Sequence, residues 1–132
     1  MNVDYFIMDE KEFVKQLNKA QDLMIQEKYN EALNLIGELK EIERKSDFNY
    51  SLTHRFYQLD SNIHSLYNQQ VILDHINDIS KKQASISFQE INLLIKKNTK
   101  LDLSDDILRR EVELLILRNL IKCELDGDLL KF

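Results

Sequence analysis

The stretch LIKCELDGDLLKF, residues 120–132, decides how the fold is read. It contains two short apolar-polar alternations on either side of Asp126-Gly127. Asp-Gly is a strong signal for a two-residue hairpin loop. With those two residues as the loop, Leu125 faces Asp128, Cys123 faces Leu130 and Ile121 faces Phe132. Ile121, Cys123, Leu130 and Phe132 then form a core-directed face. Lys122, Glu124, Leu129 and Lys131 share the outward face, with Lys122 opposite Lys131. The strand that runs into Phe132 is expected to leave one edge unpaired, and an open edge offers backbone groups to another chain.

Working back from the hairpin, helical signals come in pairs. Ser104 is placed to cap a helix, DDILRREVELLILRN, with Asp105 and Asp106 at its positive end. Leu108, Val112, Leu115 and Ile116 give its core stripe, and Asn119 can end it in a left-handed conformation. Ser87 caps an earlier helix, FQEINLLIKKNT, with Glu90 completing a capping box. Phe88, Ile91, Leu94 and Ile95 make its buried stripe. Leu101 and Leu103 anchor the turn, and Ser85-Ile86-Ser87 is a short strand candidate. Strand, helix, turn, helix and hairpin over residues 85–132 follow the order of a winged helix.

The first part of the chain is helical. The chain has no proline and only two glycines, Gly37 and Gly127, and proline is expelled most strongly from helix interiors. Residues 9–27 read as a helix capped by Asp9, with Phe13, Leu17, Ala20 and Met24 on one face. Residues 30–45 read as a second, with Ala32, Leu33, Ile36, Leu39 and Ile42 apolar. Gly37 inside it costs roughly 1 kcal/mol relative to alanine, which either a close helix approach or simple tolerance explains. After the break at 46–50, a long helix runs from about 50 to 81. Leu52, Phe56, Leu59, Ile63, Leu66, Gln70 and Leu73 step through it as a heptad seam. Two short helices cannot cover that whole length, so the Leu66–Leu73 segment is expected to meet another chain. The pattern changes at residues 81–84, which divides the chain into a helical part, 1–84, and a winged helix, 85–132. The fold class is mainly α: a helical hairpin and long helix, then a C-terminal winged helix with a small β-hairpin.

Composition narrows the function. Hydrophobic residues make up 43% and charged residues 31%, with a formal net charge of -5. Residues 1–84 hold 14 acidic and 10 basic groups; residues 85–132 hold 9 and 8. Neither part is basic, which disfavours nucleic acid. The acidic hairpin tip, Glu124, Asp126 and Asp128, would repel phosphate. Lys96, Lys97 and Lys100 suit a helix C-terminus. No apolar run is long enough for a membrane span, and MNVDYFIMDEKEF lacks the basic start of a secretory signal. Cys123 is the single cysteine, which fits a reducing cytoplasm. No phosphate-binding glycine loop is present. His54, His64 and His75 are spread along the long helix and read as surface residues. Neither an enzyme nor a cofactor nor a small-molecule substrate is expected.

Two segments carry a resemblance. REVELLILRNLIKCELDGDLLKF, residues 110–132, resembles the closing segment of PCI domains, the helical-repeat plus winged-helix modules of the proteasome lid, the signalosome and a translation initiation factor complex. Glu113, Leu114, Leu120, Ile121, Leu125 and Asp126 match that pattern. The preceding SISFQEINLLIKKNTKLDLSDD is similar to the family's first winged-helix segment. AQDLMIQEKYNEALNLI, residues 20–36, resembles one tetratricopeptide-type hairpin through Ala20, Tyr29, Ala32 and Leu33. The chain departs in size, with room for about one and a half helical pairs. The resemblance implies a non-catalytic scaffold or adaptor subunit that binds other protein subunits or itself. Lys122, Glu124, Leu129, Lys131, Leu66 and Leu73 are the candidate contact residues. The alternative is a winged-helix transcription regulator dimerising through the long helix.

Overall fold

The structure is a computed structural model that describes residues 8–132; the reading of the N-terminal stretch lies largely outside them. The elements are α1 (Glu10–Ile25), α2 (Tyr29–Arg44), α3 (Tyr50–Ser80), β1 (Ser85–Ser87), α4 (Phe88–Asn98), α5 (Asp105–Leu117), β2 (Glu124–Asp126) and β3 (Leu129–Lys131). The fold is mainly helical, with a small antiparallel sheet near the C-terminus. No helix among the described residues is long and apolar enough to cross a membrane. The chain forms two compact units, through Tyr67 and from Asn68. The division falls inside α3 rather than at residues 81–84, where α3 ends.

In the first unit the side chain of Asp9 accepts the Glu12 N–H at 2.8 Å and starts α1. Phe13, Leu17 and Ala20 of α1 are buried together with Ala32, Ile36, Leu39 and Ile42 of α2 and Leu52, Phe56, Leu59 and Ile63 of α3. Alanine at positions 20 and 32, both fully buried, lets α1 and α2 pack closely. The turn between them puts Glu27 at φ +61°, and Lys28 donates back to the Leu23 carbonyl at 2.9 Å. This is the left-handed helix ending that glycine usually supplies. Gly37 is exposed, and a Cβ there would meet nothing within 4 Å. Its presence therefore reflects no close helix approach. Asn49 accepts the Leu52 N–H at 2.9 Å and caps α3.

The heptad seam expected along α3 holds only over its first half. Leu52, Phe56, Leu59 and Ile63 are buried, but beyond them the buried positions are Gln69, Ile72, Ile76 and Ile79. The stripe changes phase because three isoleucines at steps of four and three bury more apolar surface than the alternative through Gln70 and Leu73. Gln70 is exposed, while Leu66 and Leu73 are half-buried.

The second unit packs Ile72, Ile76 and Ile79 with Phe88, Ile91, Ile95, Leu103, Leu108, Val112 and Leu115. Ser87 accepts the Glu90 N–H at 3.1 Å and donates its hydroxyl to the Glu90 carboxylate at 3.1 Å. Ser104 caps α5 through the Ile107 N–H at 3.3 Å. Asn119 closes α5 at φ +59°, with the Leu120 N–H on the Leu115 carbonyl at 3.0 Å.

The sheet corrects the expected hairpin. Its strand order is β1-β3-β2, so β3 is central and has no open edge. β3 pairs Ser85 with Lys131 and Ser87 with Leu129 on one side. On the other side it pairs Glu124 with Lys131, Leu125 with Leu130 and Asp126 with Leu129. The loop is therefore Gly127-Asp128, one position later than expected. Gly127 has φ +59° and Asp128 does not share that sign, the pattern of a type II′ turn, which wants glycine first. The alternative loop would have asked Asp126 for a positive φ and removed Leu125 from its place opposite Leu130. The shift of two residues along one strand keeps each side chain on its expected face.

Candidate interaction surface

The hairpin's outward face is built by alternation along β2 and β3. Glu124, Leu129 and Lys131 are exposed there, as is Lys122 just before β2. The expected Lys122–Lys131 opposition does not occur, because the register places Glu124 across from Lys131. Lys131 Nζ instead meets Asp126 Oδ2 at 2.6 Å. That hydrogen bond and charge hold the Asp126 carboxyl below its ordinary value and the Lys131 ammonium above its own.

On the inward face Leu130 and Ile121 are buried and Cys123 is half-buried. Burial pushes the Cys123 thiol up, which favours its protonated form. Phe132 was expected in the core, yet it is 36% exposed. The ladder ends at Lys131, and the Phe132 N–H makes a last bond to the Ala84 carbonyl at 2.9 Å. Phe132 lines an open depression with Lys122, Cys123, Glu124 and Lys131. Three candidate contact residues, Lys122, Glu124 and Lys131, thus line one depression, while Leu129 lies further along the same face, opposite Asp126. Leu66 and Leu73 are elsewhere, on α3. Leu73 packs against the core of the second unit, so much of its surface is covered by its own chain.

The turn of the hairpin is fastened down. Arg109 Nη2 donates to the Gly127 carbonyl at 2.8 Å and reaches Asp128 Oδ1 at 3.3 Å. Its guanidinium also lies 4.5 Å over the Phe88 ring. The Phe88 N–H donates to the Asp128 carbonyl at 2.9 Å. The other arginines of α5 and its cap are also held. Arg110 Nε bonds Glu111 Oε1 at 3.3 Å, and Arg118 donates to Gln69 Oε1. Glu111 is fully buried, and its Oε2 accepts from Gln69 Nε2 at 3.4 Å.

Sequence reading missed Glu111. Its position between Leu108, Val112 and Leu115 on one helical face was the available signal. Glu113, which carried the family resemblance, is exposed instead. Of the histidines, His54 and His64 are exposed as expected. His75 is half-buried, its Nδ1 2.8 Å from the Val71 carbonyl and its Nε2 3.2 Å from Asn98 Nδ2. The scan against protein families and the searches for similar curated proteins and solved structures found no match.

Proposed function

We propose that the chain is a non-catalytic protein–protein interaction module, a PCI-like scaffold or adaptor subunit working in the cytoplasm, with a winged helix as its second unit. The second half of α3, then β1, α4, α5, β2 and β3, with strand order β1-β3-β2, is the arrangement such a domain requires. It also accounts for a unit that starts at Asn68: the last part of α3 serves as its first helix.

One observation carries the choice of protein over DNA. A DNA-reading winged helix needs free cations on its second main helix and on its wing. Here Arg109, Arg110 and Arg118 are each engaged by acceptors of the fold itself. The outward stripe of α5 is Asp106, Arg110, Glu113 and Leu117, with no excess of positive charge. The hairpin is short, and Arg109 ties its turn to α5. Lys122, Glu124 and Lys131, with the exposed Leu129 further along the same face, form a mixed-charge surface, which suits a protein partner better than a phosphate backbone.

The test is anisotropy of labelled random duplex DNA. The expected result is no complex tighter than about 100 µM at physiological salt. A micromolar complex that weakens steeply with salt would favour the transcription-regulator alternative and overturn this reading.

A further inference from the structure

Asp126-Gly127 is the one place in the sequence where aspartate or asparagine precedes glycine. In such a pair the backbone nitrogen of the glycine can attack the side-chain carbonyl carbon of the aspartate, because the glycine has no Cβ to stand in the way. The closure is intramolecular and gains from the enforced proximity of the two groups. Here both groups are accessible. Asp126, Gly127 and Asp128 are all exposed, and a Cβ at Gly127 would meet nothing within 4 Å. The hairpin ladder pairs Asp126 with Leu129 and passes over Gly127. Among the described residues the Gly127 N–H donates to no backbone carbonyl.

One contact opposes the reaction. Lys131 Nζ lies 2.6 Å from Asp126 Oδ2. The attack needs a protonated carboxyl, since a carboxylate has no oxygen that can leave as water. By favouring the charged form, Lys131 keeps Asp126 in the state that does not react. The other charges around it are Glu124, two residues earlier on the same strand face, and the Arg109–Asp128 pair across the turn.

We propose that Asp126-Gly127 is a self-modification site, where aspartate converts to isoaspartate without an enzyme, and that Lys131 is the residue that slows the conversion. The Gly127 nitrogen forms a bond to Cγ of Asp126 and gives up its proton. The Cγ–OH bond of the carboxyl breaks, and the hydroxyl leaves with that proton as water. The product is a cyclic succinimide. Water then adds to the former backbone carbonyl carbon of Asp126 and breaks its bond to the Gly127 nitrogen. That carbonyl becomes a free carboxyl, and the chain continues through Cβ and Cγ. The water lost is regained, so the product is an isomer and no oxidant or reductant takes part. One extra atom then stands in the backbone beside the Asp126–Leu129 pair that closes the hairpin. The Gly127 carbonyl is also displaced from Arg109 Nη2, now at 2.8 Å.

The inference concerns the hairpin's own chemistry and stands whether the hairpin meets protein or DNA. The experiment is incubation of the full chain in neutral buffer at physiological temperature, with the guanidinium-denatured chain as the unrestrained reference. Trypsin then releases the segment that starts at Cys123, and electron-transfer fragmentation locates isoaspartate in it. Methyl transfer from S-adenosylmethionine by an isoaspartyl methyltransferase counts it independently. The folded wild type should convert more slowly than the denatured chain. Each unit by which a carboxyl pKa rises multiplies its protonated fraction at neutral pH about tenfold, and Lys131→Met should speed conversion at least about threefold. Lys131 is exposed, and its replacement should leave the far-UV circular dichroism unchanged. Lys131→Arg keeps the cation and should keep the slow rate, which a loosened fold would not. Asp126→Glu closes a larger ring less readily and should give no product at this position. Absence of isoaspartate at position 126 in both folded wild type and Lys131→Met, once the denatured chain has converted, overturns the proposal. Equal rates in wild type and Lys131→Met overturn it too, as does faster accumulation of isoaspartate at any other position.

Discussion

Gly37→Ala should stabilise the protein, and its size follows from where the glycine sits. α2 runs from Tyr29 to Arg44, so position 37 is more than a turn from either end and carries the full interior penalty. That penalty is about 0.8–1.0 kcal/mol relative to alanine, much of it entropy of the unfolded chain. Nothing offsets it: the backbone is helical, the site is exposed, and a Cβ meets no atom within 4 Å. The expected gain is about 0.7–1 kcal/mol. Urea unfolding followed by tyrosine fluorescence is well suited, because the chain has no tryptophan and its tyrosines lie at positions 5, 29, 50, 57 and 67. The signal therefore reports the first unit. With a slope near 1 kcal/mol/M for a unit of this size, the midpoint should rise by roughly 0.7–1 M. An unchanged or lowered midpoint would show that Gly37 serves a contact absent from this structure, and the account of α2 would fail.

Leu115→Ala removes a fully buried side chain from the core of the second unit and should cost about 2–5 kcal/mol, read by circular dichroism during urea unfolding; a cost below about 1 kcal/mol would displace Leu115 from the core. Leu129→Glu, on the outward face and opposite Asp126, should change stability by no more than about 1 kcal/mol, and global unfolding of this variant would place Leu129 inside. Asp126 should titrate below the ordinary 3.8 because Lys131 hydrogen-bonds and attracts its charged form. A lowered carboxyl favours the folded state above the unfolded value and loses that contribution as pH falls through the folded one. The ion pair should thus hold from neutrality to below pH 3.8 and be lost only as pH falls through the lowered Asp126 value. Carbon NMR of the Asp126 carboxyl checks this, and a midpoint at or above 3.8 in wild type, or no rise in Lys131→Met, contradicts it.

What was legible in the sequence is what depends on near neighbours. Asp9, Ser87 and Ser104 cap helices because the residue three positions on presents its N–H within reach. Asn119 ends α5 because asparagine tolerates a positive φ. Stripes such as Phe13, Leu17 and Ala20 are buried because 3.6 residues make a turn. The errors all involve pairing at long range. β3 is central because Ser85 to Ser87, more than forty residues earlier, supplies its second partner, and no local pattern reports that. Phe132 leaves the core because the ladder stops before it. In α3 two continuations of the stripe were open, through Gln70 and Leu73 or through Ile72, Ile76 and Ile79. The packed second unit chose the isoleucines.

The candidate site divides the same way. Alternation placed Lys122, Glu124, Leu129 and Lys131 on the outward side, and a register error of two residues could not disturb it, because side chains repeat with period two. Their partners could not be read, since those depend on the register itself: Lys131 meets Asp126 and Glu124 instead of Lys122. That exchange alters the chemistry of the surface. Two opposed lysines would have asked for an acidic partner. A lysine already satisfied within its own hairpin adds little charge to offer, and exposed ion pairs of this kind contribute little by themselves. Any partner must then be held mainly by shape and by Leu129, with Lys122 as the remaining cation at the rim. Recognition at the hairpin should accordingly depend weakly on salt. With the Lys131 and Asp126 charges spent on each other within the hairpin, packing is what discriminates one partner from another there.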